Sequence, residues 1–322
     1  MRGSRASIER EGDSGTMHLF DQIAQATQRK AIRDPVLGDL PIACAPDLKE
    51  DVAAAETRYV LQDDVVAFVY DLVLADAALI ASSLEILRLP SRTIWLEWRQ
   101  PDDASDDGGG RLGVLVSAEE DGRRGDCRLV WDVPGAEPNV CGVSVVFDLD
   151  GPPGDGDEVG LFPLRHDCPD IDDLLRHFRA RVHPGYLRHL LRVHSLPGVK
   201  RAVQGPLDAA WLAGPFVAAF CLLLMAGMPL DLKQQSRAAL NAKRSKQGRP
   251  RLLDHVMVSS NVFPRIAASQ TGETPDARRT ARLHYVRGHL VRRGTAIFWR
   301  RPHLRGQATG AEPHNPVRRL SL

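Results

Sequence analysis

Apolar residues in the first ninety positions recur with the spacing of α-helices. One apolar face predicts a helix over residues 18–31. A second, shorter helix is predicted over 47–57, and a long apolar pattern over 62–87 predicts a third that closes at Leu89-Pro90. The N-terminal part of the chain is therefore expected to be helical.

The period then changes from that of a helix to that of a strand. Residues 93–99 alternate, and the runs 112–117, 127–133 and 140–149 are rich in β-branched and aromatic residues. Acidic, glycine-rich segments separate them. This pattern predicts an antiparallel meander of about four strands.

Helical patterns resume over residues 170–181, 184–194 and 207–228. The run 209–230 carries no charge and is long enough to span a bilayer. However, Pro215 lies inside it and no orientation signal in the flanking charges stands out, so we interpret it as the central buried helix of a soluble domain.

The C-terminal part is predicted to contain a basic helix over 232–244, a strand over 253–258 and a β-hairpin within 281–303, formed by strands over 281–288 and 293–301. Taken together, the patterns predict an α+β fold: a helical N-terminal part, an antiparallel meander, a central buried apolar helix, and a basic C-terminal helix with a hairpin.

The composition is that of a globular protein, with 43% hydrophobic and 26% charged residues. The formal net charge of +1 hides an uneven distribution. Residues 233–322 hold 19 Lys+Arg and 4 Asp+Glu, a net of +15, whereas residues 1–232 hold a net of −14. A split of this kind favours contact between the C-terminal part and phosphates, although the two parts could also dock on each other.

Composition divides the chain into four expected parts. Residues 1–16 are polar and predicted to be a disordered leader, which makes Met17 a candidate for the true start. An acidic α+β body over 17–231, a basic module over 232–306 and a flexible tail over 307–322 follow. The five cysteines show no disulfide or zinc spacing, and we expect a cytoplasmic protein.

Histidine and arginine are densest near the end of the chain. His284, Arg287 and His289 are the components of a metal-independent ribonuclease, with two histidines as acid and base and an arginine on the phosphate. On a regular strand, Tyr285, Arg287 and His289 share one face while His284 lies on the other. A bulge at Gly288 would bring the two histidines together.

The same residues could instead form a binding surface, because arginine matches phosphate oxygens and aromatic rings stack on unpaired bases. A third interpretation is structural, with His284 and Trp299 in the core and the arginines on an edge strand. The candidate nucleic-acid-binding residues are Lys243, Arg244, Lys246, Arg249, Arg251, Tyr285, Arg287, His289, Arg292, Arg293, Trp299, Arg300, Arg301, His303 and Arg305.

Other polar clusters carry weaker signals. His177, His183, His189 and His194 lie among arginines without the spacing of a metal site, which favours a solvated basic helix face. No phosphate-binding loop or dinucleotide fingerprint is found. We therefore predict neither a metal nor a cofactor.

The C-terminal segment resembles a family of phage, plasmid and bacterial proteins with a terminal H-x-R-R-G-H-W signature. His284, Arg287, Gly288 and His289 match it, while Val286 and Leu290 replace its first arginine and its tryptophan. The family includes the type V-A anti-CRISPR inhibitor of Cas nuclease biosynthesis. The specific similarity covers residues 281–306, and the order of the blocks is similar elsewhere.

The resemblance implies a regulatory protein that engages an mRNA, a ribosome-associated nascent chain or a type V Cas nuclease, and that does not associate with a membrane. Three functions remain open at this point: an anti-CRISPR-like regulator with an RNA-contacting end, a metal-independent ribonuclease, and a prophage protein without catalytic activity. Enzymatic activity is the less favoured of these expectations.

Overall fold

A mixed β-sheet of ten strands organises the chain, as seen in a computed structural model. The structure describes residues 17–26, 39–41, 46–99, 110–132, 138–151, 161–194, 196–260, 284–286, 288–301 and 303–305. The predicted leader and tail, and Arg287, lie outside the described residues.

The N-terminal elements surround the first strands of the sheet. They are α1 (Leu19–Gln25), β1 (Asp39–Pro41), α2 (Pro46–Ala54), β2 (Thr57–Leu61), α3 (Asp63–Ala75), α4 (Ala77–Ser83) and a 3-10 turn (Leu84–Ile86). The single helix predicted over 62–87 is thus two helices, bent by 89° at Asp76. The bend lets the apolar faces of both helices reach one core, since Val69 and Ile80 are both fully buried.

The predicted meander is confirmed. It consists of β3 (Thr93–Arg99), β4 (Arg111–Ala118), β5 (Arg124–Trp131) and β6 (Asn139–Asp148), paired antiparallel in chain order. The short strand β7 (Leu161–Pro163) follows.

The helix predicted over 170–181 is only partly correct. A 3-10 turn (Pro169–Ile171) and the one-turn helix α5 (Asp172–Leu175) lead into a strand, β8 (Phe178–Val182), which pairs with β6. Phe178, Ala180 and Val182 are buried and alternate with exposed or half-buried arginines. This period of two, together with the pairing to β6, determines a strand.

The C-terminal half supplies the remaining elements. They are α6 (Pro184–Val193), α7 (Leu196–Ala202), α8 (Gln204–Ala210), α9 (Ala213–Met225), β9 (Leu230–Gln235), α10 (Ala238–Lys246), β10 (His255–Ser260), β11 (His284–Val286), β12 (His289–Arg293), β13 (Ala296–Arg300) and β14 (His303–Arg305).

Strand order in the sheet is β7-β8-β6-β5-β4-β3-β2-β10-β9, and β1 also pairs with β6. The pairs β2–β3 and β10–β2 are parallel, and the other pairs are antiparallel. The chain therefore has an α+β fold, as predicted. The sheet joins strands that are far apart in sequence, because β10 is inserted between β2 and β9.

One face of the sheet forms the main core against α3, α4 and α9. Trp98 of β3 stacks on Phe216 of α9 with 4.3 Å between ring centroids, and Tyr59 of β2 meets Phe220 edge-on at 5.3 Å. On the opposite face, α1 covers Trp95 and Glu97 of β3.

The predicted central apolar helix is confirmed as α9, in which every residue from Ala213 to Leu223 is buried. By length and composition, the helical run Pro197–Met225 could cross a membrane, but 67% of its apolar window is buried inside the protein. Burial of that extent is what the core helix of a globular domain requires.

The basic helix predicted over 232–244 is wrong in its first half. Residues 230–235 form the edge strand β9, paired with β10, and the helix begins only at Ala238. Pairing with β10 satisfies the backbone groups on one side of β9 and overrides its local helix preference. The expected boundary between body and basic module, at residue 231, thus lies within a strand of the common sheet.

Candidate nucleic-acid interface

Residues 236–254, here called the protrusion, connect β9 to β10 and contain α10. The two strands pair on either side of it, with His255 opposite Gln235. No residue of α10 is buried. The protrusion carries six Lys or Arg residues and one Asp, Asp254, so its net charge is +5.

Hydrogen bonds from two side chains hold the protrusion in shape. The Asn241 amide donates to the Leu252 carbonyl and accepts from the Leu252 N–H, both at 2.8 Å. Arg244 Nε donates to the Pro250 carbonyl at 2.7 Å. Gly248, with φ of +65°, lets the chain reverse after α10. The protrusion is thus an ordered helix and return segment, although it buries little apolar surface.

Helix α1 fixes the return segment of the protrusion to the body. The Asp21 carboxylate accepts a hydrogen bond from the Leu253 N–H at 2.7 Å, and the Gln25 amide donates to the Arg251 carbonyl at 3.4 Å. The His255 ring, at the start of β10, lies 4.5 Å from the ring of His18.

Glu97 in turn fixes α1. Its carboxylate accepts hydrogen bonds from the backbone N–H groups of Leu19 and Phe20 at 3.1 and 3.3 Å, so it caps the helix from a neighbouring strand. It also contacts His18 at 3.2 Å and Arg111 at 2.7 Å. Burial would raise the pKa of Glu97, but His18 and Arg111 outweigh burial and hold the pKa below its ordinary value.

Two further titratable groups lie beside this cap. Burial raises the pKa of Asp21 to about 6 and lowers the pKa of His255 to about 4. Glu97, Asp21 and His255 are each no more than 2% exposed. The cluster is sealed from solvent, so it supports the protrusion and offers no room for a substrate. The described residues contain no group suited to hold a metal ion.

The predicted cations of the protrusion point outward. Lys243, Lys246, Arg249 and Arg251 are exposed, and Arg244 is half-buried. Within the described part of the chain, none of these five forms an ion pair with a carboxylate. The described part of the chain therefore leaves these charges without a carboxylate partner, and phosphate binding draws on such cations.

A C-terminal hairpin is present, but its predicted strands, 281–288 and 293–301, are wrong in their bounds, because residues 289–293 form β12 and the turn lies at 294–295. The register of the hairpin bears on the catalytic hypothesis. His284 pairs with Arg305, Val286 with His303 and His289 with Arg300, so one register continues on both sides of the interruption at residues 287–288. An extra residue is inserted in neither strand. In this register His284 and His289 are five positions apart, which corresponds to opposite faces of a regular strand. The bulge considered at Gly288 would involve Arg287, which lies outside the described residues.

The inner face of the hairpin packs into the hydrophobic core. Leu290 and Trp299, which are cross-strand partners, are both buried. The Trp299 ring meets Phe68 of α3 edge-on at 5.5 Å, and its backbone N–H donates to the Ala226 carbonyl at 3.0 Å. Trp299, predicted as a base-stacking residue, is therefore a core residue, because its ring fills the gap between α3 and the end of α9.

Arg292 also points to the inner side, where its guanidinium pairs with Glu85. It was predicted to contact nucleic acid, but a carboxylate of the protein already occupies it. Arg292 and Trp299 show that the hairpin uses part of its basic and aromatic content for its own attachment.

The outer face of the hairpin carries the remaining predicted cations. Arg293 and Arg300 are exposed there, and His289 is half-buried. The guanidinium of Arg293 lies 5.7 Å from the centroid of the Phe298 ring. Phe298 is half-buried and was missed as a candidate, although its alternation with Trp299 could have placed it opposite the core.

The remaining candidate residues lie on or directly beside the hairpin strands. Arg301 follows β13 and is exposed. His284, Tyr285, His303 and Arg305 are placed by backbone only, on the paired strands β11 and β14. Sequence reasoning also missed Asn241 and Asp21, whose roles depend on contacts 11 and 232 residues away in the chain.

The structure does not bring all the predicted residues to one place. The hairpin contacts the end of α9, just before β9 begins, whereas the protrusion follows the end of β9. Five residue steps along β9, at about 3.4 Å each, separate its ends by about 17 Å. The basic C-terminal part thus forms two surfaces: the protrusion, which follows β9, and the hairpin, which is attached at Ala226, four residues before β9 begins.

Comparison with models of protein families, with curated proteins and with solved structures finds no match to this chain.

Proposed function

We propose that this protein binds RNA through the protrusion and acts as a regulator rather than as an enzyme. The observation that carries the proposal is the set of five protrusion cations, which lie outward and have no carboxylate partner among the described residues. Lysine and arginine that neutralise phosphates supply most of the affinity in such complexes. The support from α1 and Asn241 holds these cations on a defined frame.

The ribonuclease alternative receives less support. General acid–base catalysis needs both groups within hydrogen-bonding reach of one phosphate. The strand register leaves His284 and His289 five positions apart, a spacing that a regular strand puts on opposite faces. Incubation of the protein with labelled RNA in EDTA should therefore leave the RNA intact.

A salt titration of RNA binding tests the proposal. Affinity for a labelled single-stranded RNA should fall steeply between about 50 and 200 mM salt. The variant K243Q/K246Q/R249Q should reduce the slope of log affinity against log salt by about 2, because each lost contact with a single strand contributes about 0.7.

The matched control is R176Q/R188Q/R192Q, which removes the same charge at exposed arginines of α6 and its surroundings. It should leave the slope unchanged. If wild type shows no salt-dependent binding, or if both variants weaken binding equally, the protrusion is not the RNA-binding surface.

We propose further that the bound RNA is a message under translation, following the resemblance of residues 281–306 to the anti-CRISPR family. Co-expression with a reporter fused to the start of a type V Cas nuclease should then lower reporter protein or mRNA. K243Q/K246Q/R249Q should restore both. Unchanged reporter levels with wild type would rule out this target while leaving RNA binding itself untouched.

A further inference from the structure

We infer that the protrusion and the outer face of the hairpin are two halves of one interface that binds a single-stranded RNA along the β9 edge of the sheet. The inference rests on the proposed function and adds the form and minimum length of the ligand. The hairpin is attached four residues before β9 begins, and the protrusion follows the end of β9.

Among the described residues, no strand pairs with the free side of β9. Leu232, Lys233 and Gln234 of β9 are exposed, and β9 is the last strand on its side of the sheet. Lys233 pairs with Asp231 at 2.9 Å, so the middle of the edge is close to neutral. A polyanion that follows this edge would meet strong cationic contacts at its two ends and a weak one between them.

The hairpin end differs in chemistry from the protrusion end. Arg293 and Arg300 have no carboxylate partner among the described residues, and the Phe298 ring lies on the same outer face. Phe298 does not belong to the hydrophobic core. An aromatic ring beside arginines can stack on an unpaired base, which favours a single strand over a duplex.

The geometry sets a minimum length for the RNA. The ends of β9 are about 17 Å apart. A strand with stacked bases advances about 3.4 Å per nucleotide, so about five nucleotides cover that distance. With two or three nucleotides bound at each end, the complete interface needs about nine to eleven nucleotides, within the range of known single-strand sites.

Two linked sites produce a characteristic length dependence. A short RNA can occupy one surface only, whereas a longer one binds the second surface intramolecularly and gains affinity without a new kind of contact. Wild type should therefore bind oligouridines of about 12 and 16 nucleotides at least 10-fold more tightly than those of about 4, beyond the gain from the larger number of binding positions.

Substitutions in either half of the interface should abolish this gain of affinity with RNA length. R293Q/R300Q on the hairpin and K243Q/K246Q/R249Q on the protrusion should each weaken binding of the 12-mer by about 10-fold or more and flatten the length dependence. F298L should weaken the 12-mer by a smaller factor and leave a duplex of the same length unaffected. Urea unfolding of each variant checks that the fold is retained.

The outcomes separate the inference from the proposed function. If no oligonucleotide binds with salt dependence, RNA binding itself is wrong. If RNA binds but R293Q/R300Q matches wild type at every length, the protrusion acts alone and the two-part interface is wrong. If duplex and single strand bind equally and F298L has no effect, the single-strand preference is wrong.

Discussion

The protrusion and the hairpin are both basic, but they use their residues differently. In the hairpin, Trp299 is buried against Phe68 and Arg292 pairs with Glu85, so part of its side chains attaches it to the body. In the protrusion, Asn241 holds the return segment to α10, and backbone groups of Arg251 and Leu253 bond to α1, so the lysines remain exposed. A count of positive charges in the sequence cannot distinguish the two arrangements, because it does not show which cations already have a partner.

The largest difference between the two regions should appear when Trp299 is replaced. Trp299→Ala removes a buried ring and leaves a cavity, which should lower the free energy of unfolding by about 3–5 kcal/mol. Lys246→Ala in the protrusion should change it by less than about 0.5 kcal/mol. Urea denaturation of the three proteins measures both effects.

Trp299→Phe provides the control for cavity size. The indole Nε1 is buried and has no hydrogen-bond partner among the described residues. Phenylalanine keeps the ring contact and removes the unsatisfied donor, so Trp299→Phe should lower the free energy of unfolding by less than about 1.5 kcal/mol. An unfolding midpoint for Trp299→Ala equal to that of wild type would mean that the hairpin is not part of the core.

The attachment of the protrusion to α1 should depend on pH through Asp21. The folded-state pKa of Asp21 is about 6, against an ordinary 3.8, so the folded protein retains this proton more strongly than the unfolded chain. Its contribution to stability is therefore present below pH 3.8 and is lost as the pH rises through 6. Asp21→Asn keeps an acceptor for Leu253 without the charge, and it should stabilise the protein at pH 7 by at most about 3 kcal/mol.

The contribution of His255 to stability changes with pH in the opposite direction. Its pKa is lowered from 6.5 to about 4, so its contribution is present above pH 6.5 and is lost as the pH falls through 4. In wild type the two groups offset each other between pH 4 and 6. Asp21→Asn should remove the contribution of Asp21 and leave that of His255, so that the stability of the variant falls on acidification over this range. Identical pH profiles for variant and wild type would contradict this account.

The smallest effect on overall stability is expected from Asn241. Asn241→Ala removes two hydrogen bonds to Leu252 in an exposed segment and should lower the free energy of unfolding by about 1 kcal/mol or less. Local opening should increase more, as faster amide exchange of Leu252, and RNA affinity should fall a few-fold. Asn241→Asp retains only the acceptor, so its Leu252 exchange rate and its RNA affinity should lie between those of wild type and of Asn241→Ala. Unchanged exchange in Asn241→Ala would show that the protrusion is held by other contacts.

Several elements could be predicted from the sequence because their patterns are long and regular. The strands of the meander are seven to ten residues long and rich in β-branched and aromatic residues, and α9 is apolar throughout. Short segments were not predictable in the same way. Residues 230–235 and 178–182 form strands because β10 and β6 supply partners for their backbone groups.

In the candidate site, too, local patterns could be predicted from the sequence, whereas contacts between distant residues could not. Alternation on β12 and β13 is visible in the sequence, but which face is the inner one depends on where α3 and α9 lie. Asp21 and Glu97 were not identified because they act on Leu253 and on the first residues of α1, distant in the chain. Contacts of that separation leave no local periodicity to detect.

The sequence by itself determined the α+β composition, the buried apolar helix and the concentration of positive charge near the C-terminus, since each follows from local pattern or residue counts. Only the tertiary structure decided that this charge forms two surfaces, the protrusion and the hairpin. It also decided that Arg292 and Trp299 serve the fold while Lys243 and Arg293 remain exposed. The physical reason is that a cation's availability depends on its neighbours in space, and β10 pairs with residues nearly two hundred positions earlier.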